Sequence, residues 1–247
     1  MMEPTATRKR IELVYDNSRA GRALARRFLQ PALGIGSARQ LELVTRVGQG
    51  RAVLECGSGD GRFAIGQGIA RQAARYHGID LSVRAVRRAR ERARSLGLRH
   101  CHFDTMDVES MRFPDNHFDV VFGRGILHHM DLGRSLAEIQ RVLRPNGTAV
   151  FYEPMGHNPW LSRLQIAPRA IPLEEHPLVV NDFRLARRFF DHVETRFYGF
   201  TTLAPAQLPA SPLRERLIRA CQHVDDWLLR LPWIGRNACS VLLTFSK

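Results

Sequence analysis

Lysine is almost missing from this chain: of its 37 Lys and Arg residues, only Lys9 and Lys247 are lysines. Arginine therefore carries the net charge of +13, which raises the question of a polyanionic partner. A phosphate-binding patch should be clustered and interleaved with aromatics. Here the arginines are spread over every predicted helix, and the densest run, Arg84 to Arg94, falls on the outer face of one. A compositional bias explains this better, and nucleic acid is not expected as substrate. Cysteine is also scarce. Cys56, Cys101, Cys221 and Cys239 show no C-x-x-C spacing, so neither a zinc site nor a disulfide framework is expected. His100 and His102 alternate on one predicted strand without a third ligand, so no metal is expected. No apolar run approaches the ~20 residues that span a bilayer. Residues Met1 to Arg10 lack the apolar core of a secretory signal, and a cytoplasmic location is expected. There is no internal repeat.

What is present is a chain of 247 residues, 44% hydrophobic, enough for one sizeable core with helical additions. It is organised around Val53-Leu54-Glu55-Cys56-Gly57-Ser58-Gly59-Asp60-Gly61. The apolar run reads as a buried strand, the glycines as a turn where backbone approaches something closely, and the following residues as a helix. Further strands are expected at Arg75 to Asp80, Arg99 to Asp104, His117 to Gly123, Thr148 to Tyr152, Thr195 to Thr202 and Ser240 to Phe245. Helices are expected over Arg62 to Ala74, from the Ser82 cap to Leu96 with Val83 buried, from the Asp131 cap to Leu143, and over Asp182 to Asp191. Pro145-Asn146-Gly147 reads as a turn. This alternation calls for a doubly wound α/β sheet. Residues 11–47 read as two or three lid helices, broken at Gln30-Pro31 and at Gly34-Ile35-Gly36, with Tyr15 and Asp16 as lid candidates.

Glu55 to Gly61 resembles the E/D-x-G-x-G-x-G signature of class I S-adenosylmethionine-dependent methyltransferases. It differs from the dinucleotide G-x-G-x-x-G, whose third glycine comes one residue later. Phe113-Pro114-Asp115-Asn116-His117-Phe118-Asp119-Val120-Val121 is similar to the run before strand four in the small-molecule members. The resemblance covers about residues 50–155. It implies a Rossmann-like sheet of seven strands, mostly parallel, with the last strand antiparallel between strands five and six. It also implies S-adenosyl-L-methionine as cofactor and S-adenosyl-L-homocysteine as product. A single domain over 1–247 is expected, with a lid at 11–47, a core at 50–155, cap segments at 155–181 and 203–237, and a final strand at 239–247.

The expected cofactor contacts on the loop are Glu55, Cys56, Gly57, Ser58, Gly59 and Gly61. Asp80, 25 positions after Glu55 and followed by Leu81, can accept from both ribose hydroxyls. By resemblance, Asp107 would accept from the adenine amino group and Val108 would pack on the ring, with Asp104 as a competitor. Arg124 is open between the cofactor carboxylate and a surface ion pair. The carbonyls of Gly123-Arg124-Gly125 could accept from the cofactor ammonium.

His128 and His129 sit at the C-terminal edge of the sheet, where α/β sheets bind ligands. Methyl transfer needs alignment and exclusion of water, and a hydroxyl acceptor also needs its proton removed. Histidine suits that near neutrality. His129 is the first choice for the base, His128 the second, and Glu153 can orient a histidine or bind the acceptor. The acceptor is expected to be a small molecule, with a hydroxyl first and nitrogen or carbon as alternatives. A nucleic-acid methyltransferase is the second reading. Against it, Phe122-Gly123-Arg124-Gly125 is not an N-P-P-Y-type motif. A binding protein without turnover is the third, and a homodimer is left open. From Leu213 the segment 203–237 shows Leu213, Leu217, Cys221, Val224, Leu228 and Leu231 on one helical face. With Trp227 and Trp233 it reads as cap core lining an apolar pocket, and a membrane surface is the alternative.

Overall fold

The computed structural model describes residues 19–156 and 178–247, with side chains of the first helix described from Leu33 onward. Tyr15, Asp16 and most of the first cap segment lie outside the described residues. Seven strands form one sheet: β1 (Ala52–Cys56), β2 (Arg75–Asp80), β3 (Cys101–Thr105), β4 (Phe118–Arg124), β5 (Leu143–Pro154), β6 (His192–Tyr198) and β7 (Ser240–Ser246). Their order is β3-β2-β1-β4-β5-β7-β6. β1 to β5 pair in parallel, and β7 runs antiparallel to both β5 and β6. The expected fold class and the place of the last strand are both observed. The chain winds outward from β1 through β2 to β3, then returns to start the other half at β4. The crevice between β1 and β4 is therefore the switch point at which such sheets bind ligands.

All five residues of β1 are buried, so both faces of the sheet must be covered. One face packs Leu54, Val121 and Phe151 against Leu136 and Ile139 of helix α5 (Leu132–Val142). The other packs Val53, Val120 and Val150 with Val86 and Ala89 of α4 (Val83–Ser95), and with Val44 of α1 (Arg19–Gly48). Side-chain caps set the starts of the two flanking helices. The Ser82 hydroxyl accepts from the Ala85 amide at 3.2 Å, and the Asp131 carboxylate accepts from the Arg134 amide at 2.9 Å.

Several expected boundaries move. α1 runs unbroken through Pro31 and Gly34 to Gly36. Gly36 is there for contact: a Cβ on it would lie 2.5 Å from the Tyr152 ring. Packing on β5 overrides the low helix propensity of the glycines. The helix expected over Arg62 to Ala74 is instead two short ones, α2 (Arg62–Gly66) and α3 (Ile69–Gln72), because Gly68 takes φ of 82° between them. Val83 is 51% exposed at the start of α4. The residues at 145–147 keep their turn character, with Asn146 at φ of 61°, but as a bulge inside β5: pairing jumps from Phe118–Leu143 to Val120–Thr148. α6 (Val180–Ala186) and β6 both start earlier than expected.

Beyond β6 come α7 (Leu203–Ala206), α8 (Pro212–Leu228) and α9 (Pro232–Gly235). The predicted apolar stripe of α8 is split. Ile218 and Leu229 are buried, and Leu228 and Leu231 pack on a small cluster with Ile234 and Ala238. Leu213, Val224 and Trp227 are exposed, as is Trp233 on α9. The two tryptophans are therefore not cap core. α8 is held from its other side by Asp225, a carboxylate only 4% exposed. It accepts from the amides of Phe200 (3.0 Å) and Thr201 (2.7 Å) and from the hydroxyls of Thr201 (2.6 Å) and Thr202 (3.0 Å). No helix among the described residues is long and apolar enough to cross a membrane. Asp225→Ala would strand these buried donors. We expect a loss of about 2–4 kcal/mol in urea unfolding, and an unchanged midpoint would show that the carboxylate does not hold the cap.

Candidate active site

The glycine turn is built from β1 and β2 together. The amides of Gly57 and Ser58 both donate to the Ile79 carbonyl at 2.9 Å, and the Gly61 amide donates to the Ser58 carbonyl at 3.0 Å. Gly57 and Gly59 have φ of 72° and 54°, a left-handed conformation that side chains rarely adopt. Gly57 is also crowded: a Cβ on it would lie 2.9 Å from Ile126, which leads the turn after β4. The glycines thus serve two ends, a reversed backbone and close contact with the next strand's loop.

Asp80 closes this turn from β2. One carboxylate oxygen accepts from the Gly59 amide and the other from the Ser82 amide, both at 2.8 Å. Burial raises its pKa, and the two backbone bonds pull it back. A carboxylate keeps further lone pairs after two such bonds, so it can still accept from a ligand's hydroxyls. Asp104 is committed elsewhere: it meets His77 at 2.6 Å and Arg90 at 2.8 Å. Asp107 is exposed, and its carboxylate accepts the local bond from the Glu109 amide at 2.9 Å. Val108 is buried among Met106 and Met111.

Two of the expected loop contacts have buried side chains. The Cys56 side chain is fully buried in the core, and burial pushes its thiol pKa far up, so it is no nucleophile. The Glu55 side chain is buried and accepts from the Tyr76 hydroxyl. Burial raises its pKa to about 8, against the opposing effects of Tyr76 and Arg124.

Arg124 ends β4. Its guanidinium donates to the Ser37 hydroxyl at 2.7 Å and lies 3.9 Å from the centre of the Phe63 ring. The Gly123 carbonyl already accepts from the Gln40 amide nitrogen at 2.7 Å. Gln40 is fully buried and spans to the Val150 carbonyl at 3.3 Å. The Tyr152 hydroxyl donates to the Leu33 carbonyl at 2.8 Å. α1 is thus clamped across β4 and β5 by side chains that sequence reasoning missed. A glutamine in a polar helix carries no signal of its own that it will be buried. Three buried polar atoms around this region have no partner among the described residues: the Ser58 hydroxyl, Nε of Arg124 and Oε1 of Gln40. A glycine cradle with unpaired donors and acceptors fits a polar, zwitterionic cofactor such as S-adenosylmethionine.

The histidine pair occupies a single 3₁₀ turn, Leu127–His129. Glu153, fully buried at the end of β5, holds that turn. One oxygen accepts from the amides of Ile126 (2.9 Å) and Leu127 (3.1 Å), and the other meets His128 Nδ1 at 2.7 Å. A carboxylate is an acceptor, so Nδ1 carries the proton and Nε2 presents a lone pair. The His129 ring lies 3.9 Å from the His128 ring, centre to centre, with the two planes tilted by 38°. Desolvation by the surrounding protein, with His128 adding to it, pushes the His129 pKa down to about 4. Among the described residues no group of three potential ligands could hold a metal ion.

Residues 54–151 match the family described as methyltransferase domain. Over 111 residues, 42% of this chain, the sequence is 36% identical to a glycine/sarcosine/dimethylglycine N-methyltransferase of Actinopolyspora halophila, covering 18% of that protein. Over 202 residues, 78% of this chain, it is 28% identical to aklanonic acid methyltransferase DauC of Streptomyces sp. (strain C5), covering 89% of it. The chain thus spans less than a fifth of the first relative's length and most of the second's. Among solved structures it is similar to geranyl diphosphate C-methyltransferase from Streptomyces coelicolor A3(2). There the TM-score is 0.58 at 14% identity, over 85% of this chain and 79% of that one.

Glu55 yields a test of the loop's foundation. Its folded pKa of about 8 lies above the ordinary 4.5, so the folded state holds a proton that the unfolded chain releases. That contribution to stability is complete below pH 4.5 and is lost as pH rises through about 8. Glu55→Gln should flatten the fall in melting temperature between about pH 5 and pH 8. Parallel curves for the two proteins would refute the assignment.

Proposed function

We infer that this chain, whose residues 54–151 match a methyltransferase domain, is a class I S-adenosylmethionine-dependent methyltransferase that transfers a methyl group from that cofactor to a small-molecule acceptor. The observation that carries the chemical reading is the His128–Glu153 pair, 2.7 Å apart at the end of β5 and next to the glycine turn. When bound, S-adenosylmethionine supplies a methyl group already activated on a sulfonium. The protein's work is then to bind, align and exclude water, and to take up a proton where the acceptor has one.

Asp80 is assigned to the ribose hydroxyls, with Leu81 beside it. Gly57, Ser58, Gly59 and Gly61 are assigned to the cofactor's methionine and ribose parts. Arg124, with the buried Gln40, is assigned to the charged end of the methionine portion. Asp107, the acid near the end of β3 that is not tied up in an ion pair, is assigned to the adenine, with Val108 beneath it. Glu55 and Cys56 act from below by supporting the turn.

His128 is the proposed general base and Glu153 its positioning residue. Glu153 fixes the tautomer, so that Nε2 is the nitrogen left to take the acceptor's proton. His129, expected first, has a pKa too low to hold a proton near neutrality, so His128 is preferred. This arrangement favours a hydroxyl acceptor. A neutral amine needs little help from a base, which leaves nitrogen as the alternative that the same variants discriminate.

Asp80→Asn should weaken S-adenosylmethionine or S-adenosylhomocysteine binding about 10- to 100-fold in calorimetry. Unchanged affinity would remove Asp80 from the site. Radiolabelled S-adenosylmethionine with fractionated small-molecule extracts, followed by mass spectrometry of the labelled product, identifies the acceptor. With that acceptor, His128→Ala should lower kcat about 10²- to 10⁴-fold and leave cofactor affinity intact. Full turnover by His128→Ala at every pH would overturn the base and point to an acceptor that needs none.

A further inference from the structure

The outward side of α8 is a feature that the site does not use. Leu213 is 63% exposed, Leu217 38%, Val224 48% and Trp227 67%. At 100° per residue these four fall within an arc of about 80°. Just beyond the helix, Trp233 on α9 is 65% exposed. Monomeric proteins rarely leave such a row of large apolar groups uncovered without a partner.

The surrounding charge narrows the partner. Arg216 and Arg219 lie on one flank of the apolar row, Arg230 and Arg236 beyond its end, and all four are exposed. The acids of α8 are engaged elsewhere. Glu215 pairs with Arg214 at 3.0 Å, Asp226 pairs with Arg196 at 3.1 Å, and Asp225 is buried under the 200–202 loop. The flank is therefore left positive. A helix with leucine, valine and tryptophan outward and arginine beside them suits the boundary of an anionic bilayer. Its apolar side chains enter the acyl region, and its guanidinium groups meet phosphates. Nucleic acid would use the arginines but leave the leucines and valine unburied. A two-fold contact with a second copy would bring like-charged flanks together.

The position of the helix relative to the site agrees. β6 ends at Tyr198, paired with Ser240, which in turn pairs with Pro154 at the end of β5. The segment carrying α8 therefore leaves the sheet at the same edge as Glu153 and the glycine turn. We propose that α8 and Trp233 form a docking surface for an anionic lipid membrane, which sets the C-terminal edge of the sheet toward the bilayer. This proposal does not rest on the assignment of the base or the acceptor.

The test is flotation of the full chain with vesicles of phosphatidylglycerol and phosphatidylcholine in equal parts, against phosphatidylcholine alone. We expect binding to the anionic vesicles that weakens with salt, and little to the neutral ones. Trp227→Ser/Trp233→Ser should lower the partition coefficient about tenfold or more. Arg216→Gln/Arg219→Gln should lower it about 25-fold, at about fivefold per arginine. Melting temperatures should stay at the wild-type value, because all four side chains point away from the core. Equal binding to both vesicle types, or no effect of either double variant, overturns the proposal. So does a dimer in sedimentation velocity that the tryptophan variant dissolves, which would assign the face to a second copy. A gel shift with single-stranded RNA that the same arginine substitutions abolish, without vesicle binding, would assign it to nucleic acid.

Discussion

The site depends on one buried carboxylate. Glu153 is fully shielded from solvent, and removing an ionised group from water costs several kcal/mol unless its lone pairs are satisfied. Two backbone amides and one imidazole satisfy them here. All three donors come from the turn that follows β4, so the carboxylate can be accommodated only if that turn folds over the end of β5. Once the turn is pinned, Ile126 is pressed against Gly57 and His128 is fixed in one tautomer. Strand pairing, the glycine loop and the candidate base are thus linked through a single side chain. Replacing Glu153 alone would disturb all three.

The second constraint is the long first helix. Gln40, Ser37 and the Leu33 carbonyl attach α1 to Gly123, Arg124 and Tyr152. These contacts sit on the ends of β4 and β5, beside the crevice, so the helix is part of the site's wall and not merely a cover for the sheet. The same clamp accounts for Gly36, where Tyr152 leaves no room for a side chain. Asp225 does for the cap what Glu153 does for the turn. It gathers the donors of the 200–202 loop and thereby decides which face of α8 looks inward.

Much of this architecture was readable along the chain. The apolar run before the glycines, the strand and helix alternation, the caps at Ser82 and Asp131 and the acid at the end of β2 are local patterns. Each follows from short-range rules of burial, backbone conformation and hydrogen bonding. Those rules also placed two histidines and a glutamate at one edge of the sheet. They could not pair them, because residues 128 and 153 are 25 positions apart and meet only when β4 and β5 lie side by side. The choice between Asp104 and Asp107 turned likewise on His77 and Arg90, partners from other elements.

By itself, then, the sequence determined the alternation of strands and helices, the glycine turn and the residue types available for chemistry, since these are consequences of local periodicity and turn geometry; the place of the last strand came from the family resemblance. Tertiary structure alone decided which carboxylates are buried and paired, and therefore which histidine is oriented. It decided that Gln40 is a core residue. It also decided that half the apolar stripe of α8 faces solvent. A helical pattern specifies which residues share a face, but the direction of that face is set by whatever buried group anchors the helix, and here that group is Asp225.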